Sequence, residues 1–177
     1  MTKIHLGISY YIEFIHITFY IMGRDIHIFT LETIITVLDM RICESQIRCL
    51  FRQYNEDYFG SLLPMPFFKI RHSVNTLGYF SYMPDEVFGT TETLEISDFY
   101  AYTPNQLRDI IVHEMIHYYL YYIGEDVRLK HGKSFKKMAR QLNHAYGLHV
   151  TPTIDLTKMK PRPDAPYFRR LIFKILS

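Results

Sequence analysis

The sequence has 177 residues, enough for one domain with a hydrophobic core, and its 48% hydrophobic and 21% charged residues are ordinary for a globular protein. Cys43 and Cys49 form neither a zinc-binding CxxC pair nor the framework of a disulfide-rich secreted domain, so we expect buried, reduced thiols. Residues 1–127 hold 8 basic and 16 acidic residues, whereas residues 128–177 hold 12 and 2. This asymmetry indicates an acidic partner for the C-terminal part, with nucleic acid as a candidate.

The N-terminal segment, residues 4–22, is apolar and about long enough to span a bilayer, but Glu13 and two histidines interrupt it. Apolar residues at every even position from 4 to 14 fit a strand as well as a helix, and no small-residue cleavage site of a secretory signal follows. We therefore expect a strand or a loosely attached extension over residues 1–29. A membrane anchor is the alternative, and Met22 could also be the true start of the protein.

A helix and three strands are predicted next. Residues 30–59 show helical periodicity, as one long helix or two short ones, and Gly60 with the two prolines of "LLPMPFF" ends this segment. The strand candidates are residues 67–72, 77–83 and 92–97. Because only a short polar turn separates the first two, we expect them to pair as a hairpin in a small antiparallel sheet.

The following helix has the clearest boundaries in the chain. Thr103 is an N-cap candidate, Pro104 takes the first helical position, and Gln106 completes a capping box. Gly124 suits a left-handed stop at the other end. The second half of this helix contains "HEMIHYYL", residues 113–120.

This stretch predicts a metal site. Residues four apart on a helix lie on the same face, so His113 and His117 can present two imidazole nitrogens to one ion. Glu114 is rotated by about 100° and borders the ion without having to ligate it. Its carboxylate could then act as the general base that takes a proton from a zinc-activated water. The alternative is a core helix whose histidines are incidental.

A third ligand has to come from outside this helix. Leu120 and Ile123 stand where the HExxHxxGxxH pattern would require glycine and histidine, so that arrangement is excluded. The downstream candidates are Glu125, Asp126, His131, His144 and His149.

The next predicted helix discriminates among these candidates. Residues 132–146, closed by Gly147, have an apolar stripe of Phe135, Met138, Leu142 and Tyr146 or Ala145. His131 falls at the start of this stripe, four residues before Phe135, and is the ligand we choose. His144 is predicted to face solvent, and Asp126, which closely follows the Gly124 stop, is the main alternative to His131.

Several segments in one order resemble the SprT-like (Spartan-type) zinc metalloproteases, namely "YNEDYFGSLLPMPFFKI", "LGYF", "LEIS", "IIVHEMIHYYL" and "HGKSFKKMARQLN". The resemblance covers about residues 45–150. It implies that His113, His117 and His131 bind Zn²⁺ and that Glu114 is the general base. For some members it also implies proteolysis of DNA-bound proteins.

The basic C-terminal part has two interpretations. Residues 128–140 contain six Lys or Arg and no acid, and further basic residues follow in the tail. They could form a solvated helix face, or a surface beside the active site that contacts the phosphates of DNA.

We therefore expect an α+β, zincin-like fold. It would contain a leading helix, a small antiparallel sheet of about three strands, the HExxH helix and a following helix that closes the zinc site. The expected divisions are an N-terminal extension at residues 1–29, a SprT-like metalloprotease domain at 30–150 and a basic tail at 151–177.

The expected function is that of a zinc-dependent metalloendopeptidase, a cytoplasmic monomer acting on protein or peptide substrates, with DNA as a further partner through residues 128–177. Candidates for stabilising the tetrahedral intermediate are Tyr79, Tyr118 and Tyr119. The strongest alternative is a non-catalytic, zinc-stabilised module that binds nucleic acid, although such a module would have no use for Glu114 as a base. A membrane-attached peptidase is the third interpretation.

Overall fold

The computed structural model describes residues 18–22, 25–29, 42–85, 89–125, 131–166, 170 and 173–174. The chain divides into two compact units, Met1–Arg41 and Ile42–Ser177. Among the described residues, no helix combines the length and the apolar character needed to cross a membrane.

The first unit contains an antiparallel pair of strands, β1 (Thr18–Met22) and β2 (Asp25–Phe29). β1 covers the last five residues of the segment 4–22, for which a strand or a loosely attached extension is predicted. Residues 4–17, which include the apolar alternation, lie outside the described residues.

The second unit begins with helix α1 (Glu44–Phe59), and the earlier part of the predicted helix, residues 30–41, lies outside the described residues. The helix ends at Gly60, whose φ of 61° is in the left-handed region that glycine tolerates best. Its buried residues recur every three or four positions and define its core face: Ile47, Phe51, Tyr54, Asn55 and Phe59.

The two cysteines lie off this buried face. Cys43 precedes the first turn of α1, and Cys49 is two residues from Ile47, about 200° round the helix. Both thiols are free and exposed. The prediction that these thiols are buried is therefore wrong.

The sheet of the second unit has three strands, β3 (Phe67–Arg71), β4 (Gly78–Asp85) and β5 (Gly89–Ser97), in the order β3-β5-β4. β5 runs antiparallel to β4 and parallel to β3. The three predicted strands are confirmed, but the predicted hairpin of the first two is wrong and the sheet is mixed. β5 begins only four residues after β4 ends and carries the fully buried Leu94 and Ile96, so it takes the central position.

Helix α2 (Pro104–Tyr122) begins with the predicted capping box. Thr103 Oγ1 accepts a hydrogen bond from the Gln106 backbone N–H at 3.2 Å, and Gln106 Oε1 accepts one from the Thr103 N–H at 2.9 Å. The helix packs against β4, α1 and the next helix, α3 (Lys133–Tyr146). More than half of its residues are buried, so α2 is the central helix of this unit.

Helix α3 ends at Gly147, with a φ of 64°, as predicted. Phe135, Ala139 and Leu142 are buried and form its core face. The predicted end of the stripe is wrong, because Ala145 and Tyr146 are both exposed. The α+β class and the following helix of the expected fold are confirmed.

Candidate metal centre

Three histidines converge at one point of the second unit. The Nε2 atoms lie 3.3 Å apart for His113 and His117, 3.2 Å for His117 and His131, and 3.1 Å for His113 and His131. Nitrogens that ligate a tetrahedral zinc at about 2.0–2.1 Å are separated by about 3.3 Å. The spacing therefore fits three ligands of a single metal ion, and the structure brings together the three histidines predicted from the sequence.

Two helices supply these side chains. His113 and His117 are one turn apart on α2, so their rings lie on the same face of that helix. His131 precedes the first turn of α3 and is brought to them by the packing of α3 on α2.

Phe135 forms the floor beneath the three imidazole rings. Its side chain is 1% exposed, and its ring centroid lies 4.8 Å from that of His113, 4.7 Å from that of His117 and 4.9 Å from that of His131. The sequence placed Phe135 on the core stripe but did not reveal this shared contact. One apolar ring thus supports all three rings and excludes water from one side of them.

His113 is held in its neutral form. Burial, the larger cause, and the nearby His131 together lower the pKa of His113 to about 4. The hydrogen bond to Thr151 opposes this shift. The backbone carbonyl of Thr151 lies 2.9 Å from Nδ1 and can only accept, so Nδ1–H is the donor. The lone pair of His113 is therefore on Nε2, the atom that faces the other histidines.

Glu114 lies at the same cavity and is largely buried. Its side chain packs against the backbone of β4 at Gly78, where a Cβ atom would lie 2.6 Å from Glu114 Oε1. A side chain at position 78 would have to displace the Glu114 carboxylate, so glycine leaves room for it there. The sequence alone did not indicate this role for Gly78.

Aromatic contacts keep α2 and β4 in this register. The ring of Phe80 stacks on that of Tyr118 at 4.9 Å, and the ring of Tyr82 stacks on that of Tyr121 at 4.1 Å. Strand residues two apart point to the same side, so Gly78 faces α2 together with Phe80 and Tyr82. These stacks therefore place Gly78 opposite Glu114.

The cavity beside the histidines has a volume of about 540 Å³. Five successive residues of β4, from Gly78 to Tyr82, line it together with the three histidines and Glu114. A cavity over the face of a strand would meet alternate residues, so contact with every residue means that it runs along the edge of β4. Among the described strands β4 is last in the order β3-β5-β4, and this edge is the one that faces away from β5.

The three tyrosines that are candidates for stabilising the tetrahedral intermediate lie in different surroundings. Tyr79 lines the cavity and is half-exposed. Tyr118 is buried against Phe80 instead, and burial raises the pKa of its hydroxyl. Tyr119 packs against Phe59, with ring centroids 5.8 Å apart.

The other candidate ligands lie elsewhere or outside the described residues. His144 and His149 are exposed, as predicted for His144, and neither joins the histidine cluster. The Glu125 carboxylate accepts a hydrogen bond from the Ser134 hydroxyl at 2.9 Å. Asp126 lies outside the described residues.

Comparison with known proteins agrees with this geometry. The sequence model of the SprT-like family matches residues 47–155, which include most of α1, the sheet, all three histidines and Glu114. No curated protein and no solved structure matched the chain. Since the match spans more than half of the sequence, the chain belongs to the SprT-like family and carries a metalloprotease-like domain whose three histidines could hold a metal ion.

Proposed function

We propose that this protein is a zinc-dependent metalloendopeptidase, in which His113, His117 and His131 hold Zn²⁺ and Glu114 is the general base. The observation that carries this proposal is the meeting of three imidazole Nε2 atoms and one buried carboxylate at a single cavity. A purely structural metal site would have no need of that carboxylate. Glu114 therefore argues against a non-catalytic, zinc-stabilised module that binds nucleic acid.

The donor set favours zinc in a catalytic arrangement. Imidazole nitrogens suit zinc, and catalytic zinc sites have three protein ligands and one open coordination position. In the described part of the chain, these histidines are the only cluster of His, Cys, Asp or Glu spaced to share an ion. When bound, zinc would polarise a carbonyl group and lower the pKa of a coordinated water.

Glu114 would supply the proton transfers. Its carboxylate lines the cavity, where it can take a proton from the attacking water and pass the proton to the leaving amine. The contact with the β4 backbone at Gly78 restricts the orientations of this carboxylate. A base held in place in this way loses little conformational freedom when it reacts.

The shape of the cavity supports an extended polypeptide as the substrate. The cavity follows the edge of β4 that faces away from β5, and an extended substrate could add there as a further strand. Such pairing would bind the substrate through its backbone and would place a scissile peptide bond beside the histidines. The half-exposed Tyr79 and Tyr82 would contact substrate side chains.

We also propose that DNA-associated proteins are among the substrates, because α3 presents a basic face. Lys133, Lys136, Lys137 and Arg140 are all exposed and recur at helical spacing, away from the buried Phe135 stripe. Phosphates of DNA bound along this face would lie on the helix that follows His131. Arg162 does not contribute to such a surface, because it is buried and pairs with Asp164.

Metal content tests the ligand set. We expect about one zinc per chain in the purified protein and strongly reduced zinc in His131→Ala, because two histidines alone hold zinc poorly. Elemental analysis of dialysed protein measures this. His144→Ala, which removes an exposed histidine, is the control and should keep its zinc. Full retention in His131→Ala with loss in Asp126→Ala would show that the third ligand is misassigned.

Glu114→Gln tests the general base. The substitution preserves the size of the side chain but removes its basicity, so zinc content and folding should be unchanged while turnover falls at least about 10²-fold. Cleavage of a denatured protein substrate, followed by gel electrophoresis, measures the loss. Turnover within a few-fold of the parent would rule out Glu114 as the base.

Gly78→Ala tests the positioning of Glu114 by β4. The new methyl group would displace the flexible end of the Glu114 side chain, so we expect lower turnover at unchanged zinc content. Met83→Ala, at an exposed position of the same strand, is the matched control. Equal turnover in Gly78→Ala and the parent would mean that the contact with Gly78 does not position the carboxylate.

Salt dependence tests the basic face of α3. Four to six phosphate contacts to single-stranded DNA would give a log–log slope of affinity against salt of about −3 to −4, since each contact contributes about −0.7. Replacing Lys133, Lys136 and Lys137 by Glu should flatten the slope by about 2 without changing zinc content. Fluorescence anisotropy with a labelled strand at several salt concentrations measures both slopes. Absence of binding by the parent at low salt would reduce this surface to a solvated helix face.

A further inference from the structure

Two asparagines in the second unit hold a following loop by the same pair of hydrogen bonds. On α1, Asn55 Nδ2 donates to the carbonyl of Leu63 at 2.8 Å, and its Oδ1 accepts from the Leu63 N–H at 3.2 Å. On α3, Asn143 Nδ2 donates to the carbonyl of Val150 at 2.8 Å, and its Oδ1 accepts from the Val150 N–H at 2.9 Å. Each amide thus pairs with both backbone polar groups of one residue in the segment that follows its helix.

The loop held by Asn143 leads directly to the metal centre. Thr151 is the residue after Val150, and its carbonyl accepts the hydrogen bond from His113 Nδ1. Leu148 and Val150 are buried, which attaches the same segment to the core. A continuous path therefore runs from the Asn143 amide through the backbone of Val150 and Thr151 to the imidazole of His113.

We infer that Asn143 is a positioning residue that sets the tautomer and orientation of the His113 ring through Val150 and Thr151. The inference rests on the proposed metal-binding role of His113. A hydrogen bond to the distal nitrogen of a histidine ligand fixes which nitrogen carries the lone pair and where it points. Loss of such partners typically costs 10–100-fold in metal affinity.

Removing the Asn143 amide would disturb this path for a physical reason. Without Asn143, the N–H and C=O groups of the buried Val150 would lose their partners, and leaving buried polar groups unpaired is unfavourable. The segment would shift toward other partners or water. Because Thr151 is covalently joined to Val150, its carbonyl would move away from His113 Nδ1, and the ring would gain access to its other tautomer.

The matched pair Asn143→Ala and Asn55→Ala tests the inference in the full-length protein. Both substitutions remove a side chain with the same two backbone hydrogen bonds, but only the first lies on the path to His113. We expect Asn143→Ala to weaken Zn²⁺ binding at least about 10-fold, measured by competition with a chromogenic chelator. It should also change the visible absorption spectrum of the Co²⁺-loaded protein, and Asn55→Ala should alter neither.

A metal-free measurement separates this inference from the proposed function. In the parent, ¹⁵N NMR of the His113 ring should show a protonated Nδ1 and a bare Nε2, whereas Asn143→Ala should show a mixture of tautomers. Failure of the parent to bind Zn²⁺ would contradict the proposed function and leave this tautomer measurement as the test of Asn143. Parent-like tautomer and affinity in Asn143→Ala would overturn the inference.

A second variant covers the possibility that Asn143→Ala does not fold. Asn143→Asp has the same shape and still accepts from the Val150 N–H, but it cannot donate to the Val150 carbonyl. We expect it to fold and to bind Zn²⁺ more weakly than the parent. Parent-like Zn²⁺ affinity and an unchanged Co²⁺ spectrum in this variant would also refute the role of Asn143.

Discussion

The contact between Phe135 and three histidine rings is the interaction on which the site depends. It joins α3 to α2 and sets the distances among the Nε2 atoms of His113, His117 and His131. It also removes water from one side of the imidazoles, and burial favours the neutral ring that can ligate a metal. The packing of the hydrophobic core therefore also assembles the cluster of three histidines.

A second constraint brings the carboxylate to the histidines. The aromatic pairs Phe80–Tyr118 and Tyr82–Tyr121 pack β4 against α2. Gly78, which has no side chain, then leaves space on that strand for the Glu114 carboxylate. The buried Glu114 is costly to accommodate unless its carboxylate has polar partners. The burial of this carboxylate beside the three histidines supports the proposed role of Glu114 as the general base.

The prediction of the sheet shows that local sequence patterns identify strands but not their pairing. Residues 67–72 and 77–83 are close in sequence and were predicted to pair, yet β5 lies between them. Alternation identifies strands, but which strands pair depends on the burial of each strand against the helices. The most buried strand takes the centre, and β4 is therefore an outer strand of the described sheet, along the cavity. The exposed cysteines have a similar explanation, because the spacing of Cys43 and Cys49 excludes a zinc-binding CxxC pair but does not reveal which face of α1 is buried.

The sequence by itself determined the HExxH helix, its capping box, the helix after it and the pairing of His113 with His117, because these depend on helical periodicity and local capping. It also indicated His131 through the same periodicity in α3. Only the tertiary structure decided what surrounds these residues: the Phe135 floor, the glycine facing Glu114 and the Thr151 carbonyl that orients His113. These contacts join residues distant in the chain, and no local pattern of residue types encodes the close approach of one backbone segment to another.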